Sequence, residues 1–221
     1  MRLMHRNLIV AVMLSFSACA LGAAPNTLSR AEKSEGWHLL FDGRSFDGWT
    51  ANESPETFRI EDGAIVVNGT RAHLFYTGPV AAHDFRNFEF QLEVMTYPNS
   101  NSGVYFHTEF QDRGWPKKGY EIQVNNSHRD PKRTASVWGI KENLQSVAKD
   151  EQWFTLRIRV EGKRIRTFVD DRLVVDYTEE ENVERPKQFA GRVVASGTFA
   201  LQGHDPGSKV KYRSIKARVL P

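Results

Sequence analysis

The sequence predicts an all-β chain folded as a two-sheet antiparallel jelly-roll sandwich, and three observations carry that expectation. Short runs of period-2 alternation recur from Trp37 onward, clusters of Gly, Pro and Asn separate them, and no long amphipathic helical pattern interrupts them. Strands in such number, with no helices between them, bury their apolar faces only by curling into two layers or a barrel.

Taken along the chain, Phe58 to Ile60 and Ala64 to Val67 read as strands. Phe88, Phe90, Leu92 and Val94 then alternate with Glu89, Gln91 and Glu93, which gives a strand with one buried face. Val104 to His107 and Tyr120 to Val124 follow. Leu156, Ile158 and Val160 alternate with Arg157 and Arg159; Glu161-Gly162-Lys163 turns this strand into Ile165, Thr167 and Val169, and Asp170-Asp171 turns that one into Leu173 to Tyr177. This is an antiparallel meander. Phe199 to Gln202 and Val210 to Leu220 bring the number to about ten strands. The polar stretches from Asn125 to Arg133 and from Glu179 to Gln188 read as loops, the second acidic enough for a mobile flap or a short helix.

At 221 residues, 40% hydrophobic and 11% aromatic, the chain holds enough apolar material for one well-packed domain and not for two of full size. Its 26% of charged residues are mixed in sign throughout, which argues for a globular surface and against disorder. The formal net charge is +3, but Arg2 and Arg6 contribute two of the cations and no basic stripe survives elsewhere. Lys163 to Arg172 is interrupted by Asp170 and Asp171, so the pattern argues against a nucleic-acid partner and fits a neutral ligand better.

Arg2 and Arg6 precede the apolar run Leu8 to Leu14, and small residues follow to Ala24, the layout of a secretory signal. The expected division is a leader over 1–24, a flexible linker over 25–36 and the folded domain over 37–221. The apolar run is shorter than the roughly 20 residues a spanning helix needs. Phe16-Ser17-Ala18-Cys19 resembles a bacterial lipobox with Phe in place of the usual Leu, while Ala18-Cys19-Ala20 and Ala20-Leu21-Gly22 are also acceptable cleavage signals. Two destinations follow: a lipoprotein held to a membrane only through Cys19, or a soluble periplasmic or secreted protein. Cys19 is the single cysteine, so the folded domain carries neither a disulfide nor a thiol nucleophile.

Leu39-Leu40-Phe41-Asp42-Gly43-Arg44-Ser45-Phe46-Asp47-Gly48-Trp49 resembles the opening signature of the 3-keto-disaccharide hydrolase family. Supporting matches are Phe58 to Gly63 with Val67-Asn68-Gly69, Asp84-Phe85 ahead of the Phe88 strand, and Asn101-Ser102-Gly103-Val104-Tyr105-Phe106. Gly119-Tyr120-Glu121-Ile122-Gln123, Trp153, and Phe199-Ala200-Leu201-Gln202-Gly203-His204 extend the resemblance from Trp37 to Leu220. It implies a concanavalin-like or laminin-G-like jelly roll and an activity on glycosides oxidised at C3 of the sugar. Two positions depart from the family pattern: His107 stands where Arg is more usual, and Asn125 where Asp is.

The implied chemistry has a simple physical logic. A ketone at C3 acidifies the C2 hydrogen and places the glycosidic oxygen on C1 in the β position, so the bond can break by elimination through an enolate, with water adding afterwards. Such a site needs a base for C2, donors or a metal for the C3 oxyanion, and an acid for the leaving oxygen. Alternation puts Tyr105, His107 and Glu109 on one face of their strand, and Glu121, Gln123 and Asn125 on one face of theirs, with Gln202 and His204 as a third row.

The expected catalytic residues are therefore His107, Glu121 and His204, and the expected substrate contacts are Tyr105, Gln123, Asn125, Gln202 and Trp138. His128 is a further loop candidate. Trp115 and Trp138 offer faces for stacking on sugar, whereas Trp49 in the opening signature reads as structural. His107, Glu121 and His204 are also the right ligand types for a divalent cation, although no tight ligand motif accompanies them. No Gly-x-Ser-x-Gly elbow supports a serine hydrolase. A non-catalytic, lectin-like carbohydrate-binding module is the alternative on the same fold.

Overall fold

The computed structural model describes residues 24–221; Cys19, its expected lipidation, the cleavage signals and the rest of the leader up to residue 23 lie outside the described residues. Helix α1 (Arg30–Ser34) precedes β1 (His38–Leu39), β2 (Trp49–Ala51), β3 (Phe58–Glu61), β4 (Ala64–Val67), β5 (Ala72–Tyr76) and β6 (Phe88–Thr96). There follow β7 (Ser102–Thr108), β8 (Tyr120–Val124), β9 (Phe154–Glu161), β10 (Arg164–Val169), β11 (Arg172–Thr178), β12 (Thr198–Gly203) and β13 (Val210–Val219). One sheet has eight strands in the order β11-β10-β9-β6-β13-β4-β3, with β1 also on β13; the other has five, in the order β2-β5-β12-β7-β8. The expected two-sheet antiparallel sandwich is what forms. Strands β1, β2 and β5 escape the alternation reading, the first two because they are only two and three residues long, and β5 because both its faces are buried and its single histidine, His73, marks no period.

The inner faces meet in one core. Phe88, Phe90, Leu92 and Val94 from β6 and Phe154, Leu156, Ile158 and Val160 from β9 face Val104 and Phe106 from β7, Tyr120 and Ile122 from β8, and Phe199 and Leu201 from β12. Phe199 is the centre of an aromatic cluster, with ring centroids 4.2 Å from Phe90 and 4.5 Å from Phe85. Each such ring contributes about 1.5–3 kcal/mol through burial, and the cluster ties the start of β6 to the start of β12 across the two sheets.

Two left-handed residues break the period. Ser214 (φ 53°) interrupts β13 between Arg213 and Lys216, so Val210 and Tyr212 point inward before the break and Ile215 and Ala217 after it. His107 (φ 54°) does the same in β7, where β12 pairs Thr198 with Thr108 but Ala200 with Tyr105.

The stretch 25–36, expected to be a flexible linker, docks instead on the outer face of the eight-stranded sheet. Helix α1 carries a capping box, Ser29 N–H donating to Glu32 Oε2 at 2.7 Å and Glu32 N–H to Ser29 Oγ at 3.2 Å. Asn26 donates to the Gly63 carbonyl at 2.8 Å and accepts from Ser214 N–H at 2.8 Å. Glu32 pairs with Lys216 and Glu35 with Arg218, which gives this short segment long-range partners that its composition does not advertise.

Candidate functional site

The outer face of the five-stranded sheet is not solvated, and its side chains fall into two rows set by register. Phe75 pairs with Ala200, Ala200 with Tyr105, and Tyr105 with Glu121, forming the first row across β5, β12, β7 and β8. In the second, His73 pairs with Gln202 and Gly103 with Gln123, and the register of β12 on β7 puts Gln202 beside Gly103. Gly103 is the empty square of this lattice, and the Glu121 carboxylate leans over it.

Glu121 is held from two sides. Tyr105 OH donates to its Oε2 at 2.8 Å, and Gln202 Nε2 donates to its Oε1 at 2.8 Å and to Tyr105 Oη at 3.0 Å. With both oxygens accepting, these hydrogen bonds favour the ionised form of the carboxyl. Burial nevertheless pushes its pKa up, and the Tyr105 and Gln202 hydrogen bonds offset that rise only in part. Burial and the adjacent carboxylate together keep the Tyr105 hydroxyl protonated.

These groups form the floor of a cavity of about 330 Å³ whose walls are Trp115, Trp138 and Phe189 and whose other lining groups include Asn101, Lys117, Asp130, Arg192 and His204. Trp138 is tied to the floor, its backbone N–H donating to the Glu121 carbonyl at 2.9 Å. Trp115 stands on a loop folded around the Gln111 carboxamide, which donates to the carbonyls of Arg113, Gly114 and Trp115. His204 donates from Nδ1 to Asp205 Oδ2 at 2.7 Å, leaving Nε2 turned to the cavity 3.4 Å from Asn101 Nδ2. Burial opposes ionisation of Asp205, but its bonds from His204, Ser208 and Gly207 prevail and lower its pKa. Two buried acceptors on the floor, Gln123 Oε1 and Gln202 Oε1, have no protein partner. Each is an opening for a ligand hydroxyl.

The structure thus brings together Glu121, His204, Tyr105, Gln123, Gln202 and Trp138 from the residues that the sequence singled out. It does not bring His107. The left-handed turn at His107 ends the alternation that would have set it beside Tyr105, and its ring packs instead on Phe88 and Phe106. Its Nε2 donates to the Arg86 carbonyl at 2.9 Å and its Nδ1 accepts from Ala195 N–H at 3.2 Å, so both nitrogens are occupied. Burial lowers its pKa to about 4. Asn125 is likewise employed elsewhere: its Nδ2 donates to the carbonyls of Asp130 and Lys132 and its Oδ1 accepts from His128 N–H, which braces the loop that presents Asp130. The cation set His107, Glu121 and His204 is not assembled, and no group of three His, Cys, Asp or Glu among the described residues converges for a metal.

His73, Asp205 and Arg192 are the neighbours that sequence reasoning missed. His73 is fully buried, stacks edge-on against Tyr105 and Trp115, and has no partner for either ring nitrogen; burial lowers its pKa to about 3. Asp205 was legible as the residue next to His204. Arg192 sits in an irregular segment beyond the short 3-10 turn at Lys187–Phe189, where the acidic loop expected to be a flap or short helix comes back to the cavity.

Known proteins share this arrangement of sheets. Residues 36–218 match the model of the 3-keto-alpha-glucoside-1,2-lyase-like domain. A 3-keto-disaccharide hydrolase of Bacteroides thetaiotaomicron is 30% identical, the match covering 95% of this chain and 87% of that protein. A crystallised candidate glycosyl hydrolase of Parabacteroides distasonis superposes with a TM-score of 0.76 at 19% identity, over 90% of this chain and all of the other. The carbohydrate-binding module CBM66 of Bacillus subtilis does so at 0.55 and 17%, over 78% of this chain and 96% of that one. At these identities the two solved structures show the shared fold.

Proposed function

The chain belongs to the 3-keto-alpha-glucoside-1,2-lyase-like domain family, and from that premise we propose that it cleaves the glycosidic bond of 3-keto-glycosides by elimination and rehydration. The observation that carries this reading is the Tyr105–Glu121–Gln202 cluster, a carboxylate with a raised pKa on the floor of a cavity that also offers unpaired amide acceptors. Glu121 is the base. Burial gives it more basicity than an exposed carboxylate, and the two oriented donors keep it from turning away. It removes the C2 proton; the C2–H pair becomes a C2–C3 π bond and the carbonyl π pair moves to the C3 oxygen.

When that pair returns, the C1–C2 π bond forms, the C1–O bond breaks, and the leaving oxygen departs with its electrons and takes a proton. His204 is the donor of that proton, since Asp205 on Nδ1 fixes Nε2 toward the cavity. Water then adds hydroxyl to C1 and hydrogen to C2. Gln123 Oε1 and Gln202 Oε1 accept from ring hydroxyls, and Trp115 and Trp138 flank the sugar. Incubation of the protein with a 3-keto-disaccharide tests the reading: sugar release by the wild type, and a loss of about 100-fold or more in Glu121→Gln, supports it, and no release sinks it.

Trp115, 43% exposed at the cavity mouth, favours a second reading, a module that only binds glycans. Turnover of many substrate molecules per protein eliminates it.

A further inference from the structure

Every reactive group assigned above accepts or carries a proton, and none of them stabilises the charge that gathers on the C3 oxygen. A carbonyl oxygen has no proton to give, so the unpaired acceptors Gln123 Oε1 and Gln202 Oε1 cannot serve it. Its partner must be a donor. Among the cavity residues the cations are Lys117, exposed on the Trp115 loop, and Arg192, which is half-buried.

Arg192 is held as a fixed donor. One guanidinium nitrogen donates to the Trp138 carbonyl at 2.6 Å, and the Cζ lies 4.6 Å from the Trp138 ring and 4.5 Å from that of Phe189. Two aromatic faces and one carbonyl define the plane of the fork, and the residue that anchors it, Trp138, is itself hydrogen-bonded to the backbone of Glu121. No carboxylate among the described residues pairs with Arg192, in contrast to Arg157, Arg159, Arg185 and Arg218. The cation therefore lines the cavity with no carboxylate in direct contact. Its field reaches the floor: at Tyr105 and Glu121 burial raises the pKa and the Arg192 charge works against that rise.

We propose that Arg192 recognises the ketone, donating from its free guanidinium N–H groups to the C3 oxygen and holding the negative charge there while the C2 proton is on Glu121. The role rests on the elimination reading. It supplies the oxyanion donor that the chemistry requires, and a planar fork serves it better than an ammonium because its hydrogen bonds are aimed before the charge appears.

The test separates proton removal from bond cleavage. A 3-keto-sugar with no leaving group at C1, incubated with the protein in deuterated water, reports C2 exchange by NMR, and a 3-keto-disaccharide reports cleavage. The expected result is that Arg192→Met loses about 100-fold in both exchange rate and kcat with a smaller change in KM, while Arg192→Lys recovers only part of either and both variants keep the wild-type Tm. A Met variant that exchanges C2 at the wild-type rate, or that is impaired through KM alone, overturns the assignment while leaving the reaction intact. Should Met prove unstable, Arg192→Gln is the substitute and carries the same expectation. A wild-type protein that neither exchanges nor cleaves overturns the reaction and the role of Arg192 with it.

Discussion

The Glu121 carboxylate occupies the space that a side chain at Gly103 would fill: a Cβ built on Gly103 would lie 2.7 Å from Glu121 Oε1 and 2.9 Å from its Cγ. The backbone at Gly103 is not left-handed, so what the position demands is room and not an unusual φ. Gly103→Ala is expected to fold, with Tm within a few degrees of wild type, and to lose about 100-fold in kcat because Glu121 is pushed off Tyr105 and Gln202. Activity assays beside thermal melts check it; wild-type turnover would dissociate the Glu121 geometry from catalysis.

If Glu121 works as a base, activity falls on the acid side as it becomes protonated. Burial places that limb above the ordinary glutamate range near 4.3. Tyr105 OH stabilises the ionised form, so Tyr105→Phe should move the acid limb of kcat/KM further up in pH. A limb that stays in place, or shifts downward, contradicts the assignment.

His107→Ala should damage the fold and spare the chemistry. It removes the partners of the Arg86 carbonyl and the Ala195 amide and opens a hole beside Phe88. The expected loss is about 2 kcal/mol or more, a fall in Tm of roughly 4–8 °C for a domain of this size, with turnover per folded molecule within about twofold of wild type. Unchanged stability with a 100-fold loss of kcat would return His107 to the reacting groups.

Acid should destabilise the protein through His73. Its pKa is about 3 in the folded chain against roughly 6.5 unfolded, so as the pH falls the unfolded state takes up the proton first. The stability that the neutral ring contributes is complete above the unfolded pKa and is lost progressively down to the folded one. His107 shifts in the same direction. His73→Leu should lose less Tm than wild type between pH 7.5 and pH 5, and should be no less stable at pH 7.5, since it removes two unpaired buried nitrogens. Equal losses would show that His73 does not set the acid sensitivity.

Much of this architecture is legible in the alternation of apolar and polar residues, and the failures have local causes. In β8 the period runs unbroken, so Glu121 and Gln123 share one face of the strand, as alternation requires. In β7 the same reasoning fails one residue past Phe106, because a single left-handed residue shifts the period and His107 carries no compositional mark of it. Asn125 continues the alternation of β8 on paper, yet it lies past the end of the strand, where its carboxamide serves the loop. Arg192 was invisible for another reason. Its place depends on how an irregular segment returns over the sheet, fixed in part by Val194 N–H on the buried Glu179 carboxylate, and no periodicity encodes that path.

The docking of Asn26, Glu32 and Glu35 on Ser214, Lys216 and Arg218 sets the way the molecule faces. These contacts lie on the outer surface of the eight-stranded sheet, and the cavity opens on the outer surface of the five-stranded one. Asn26 therefore sits on the back of the sandwich, on the side opposite the cavity. Substrate therefore approaches Glu121 from the face opposite the docked segment, and neither Asn26 nor helix α1 stands in its way.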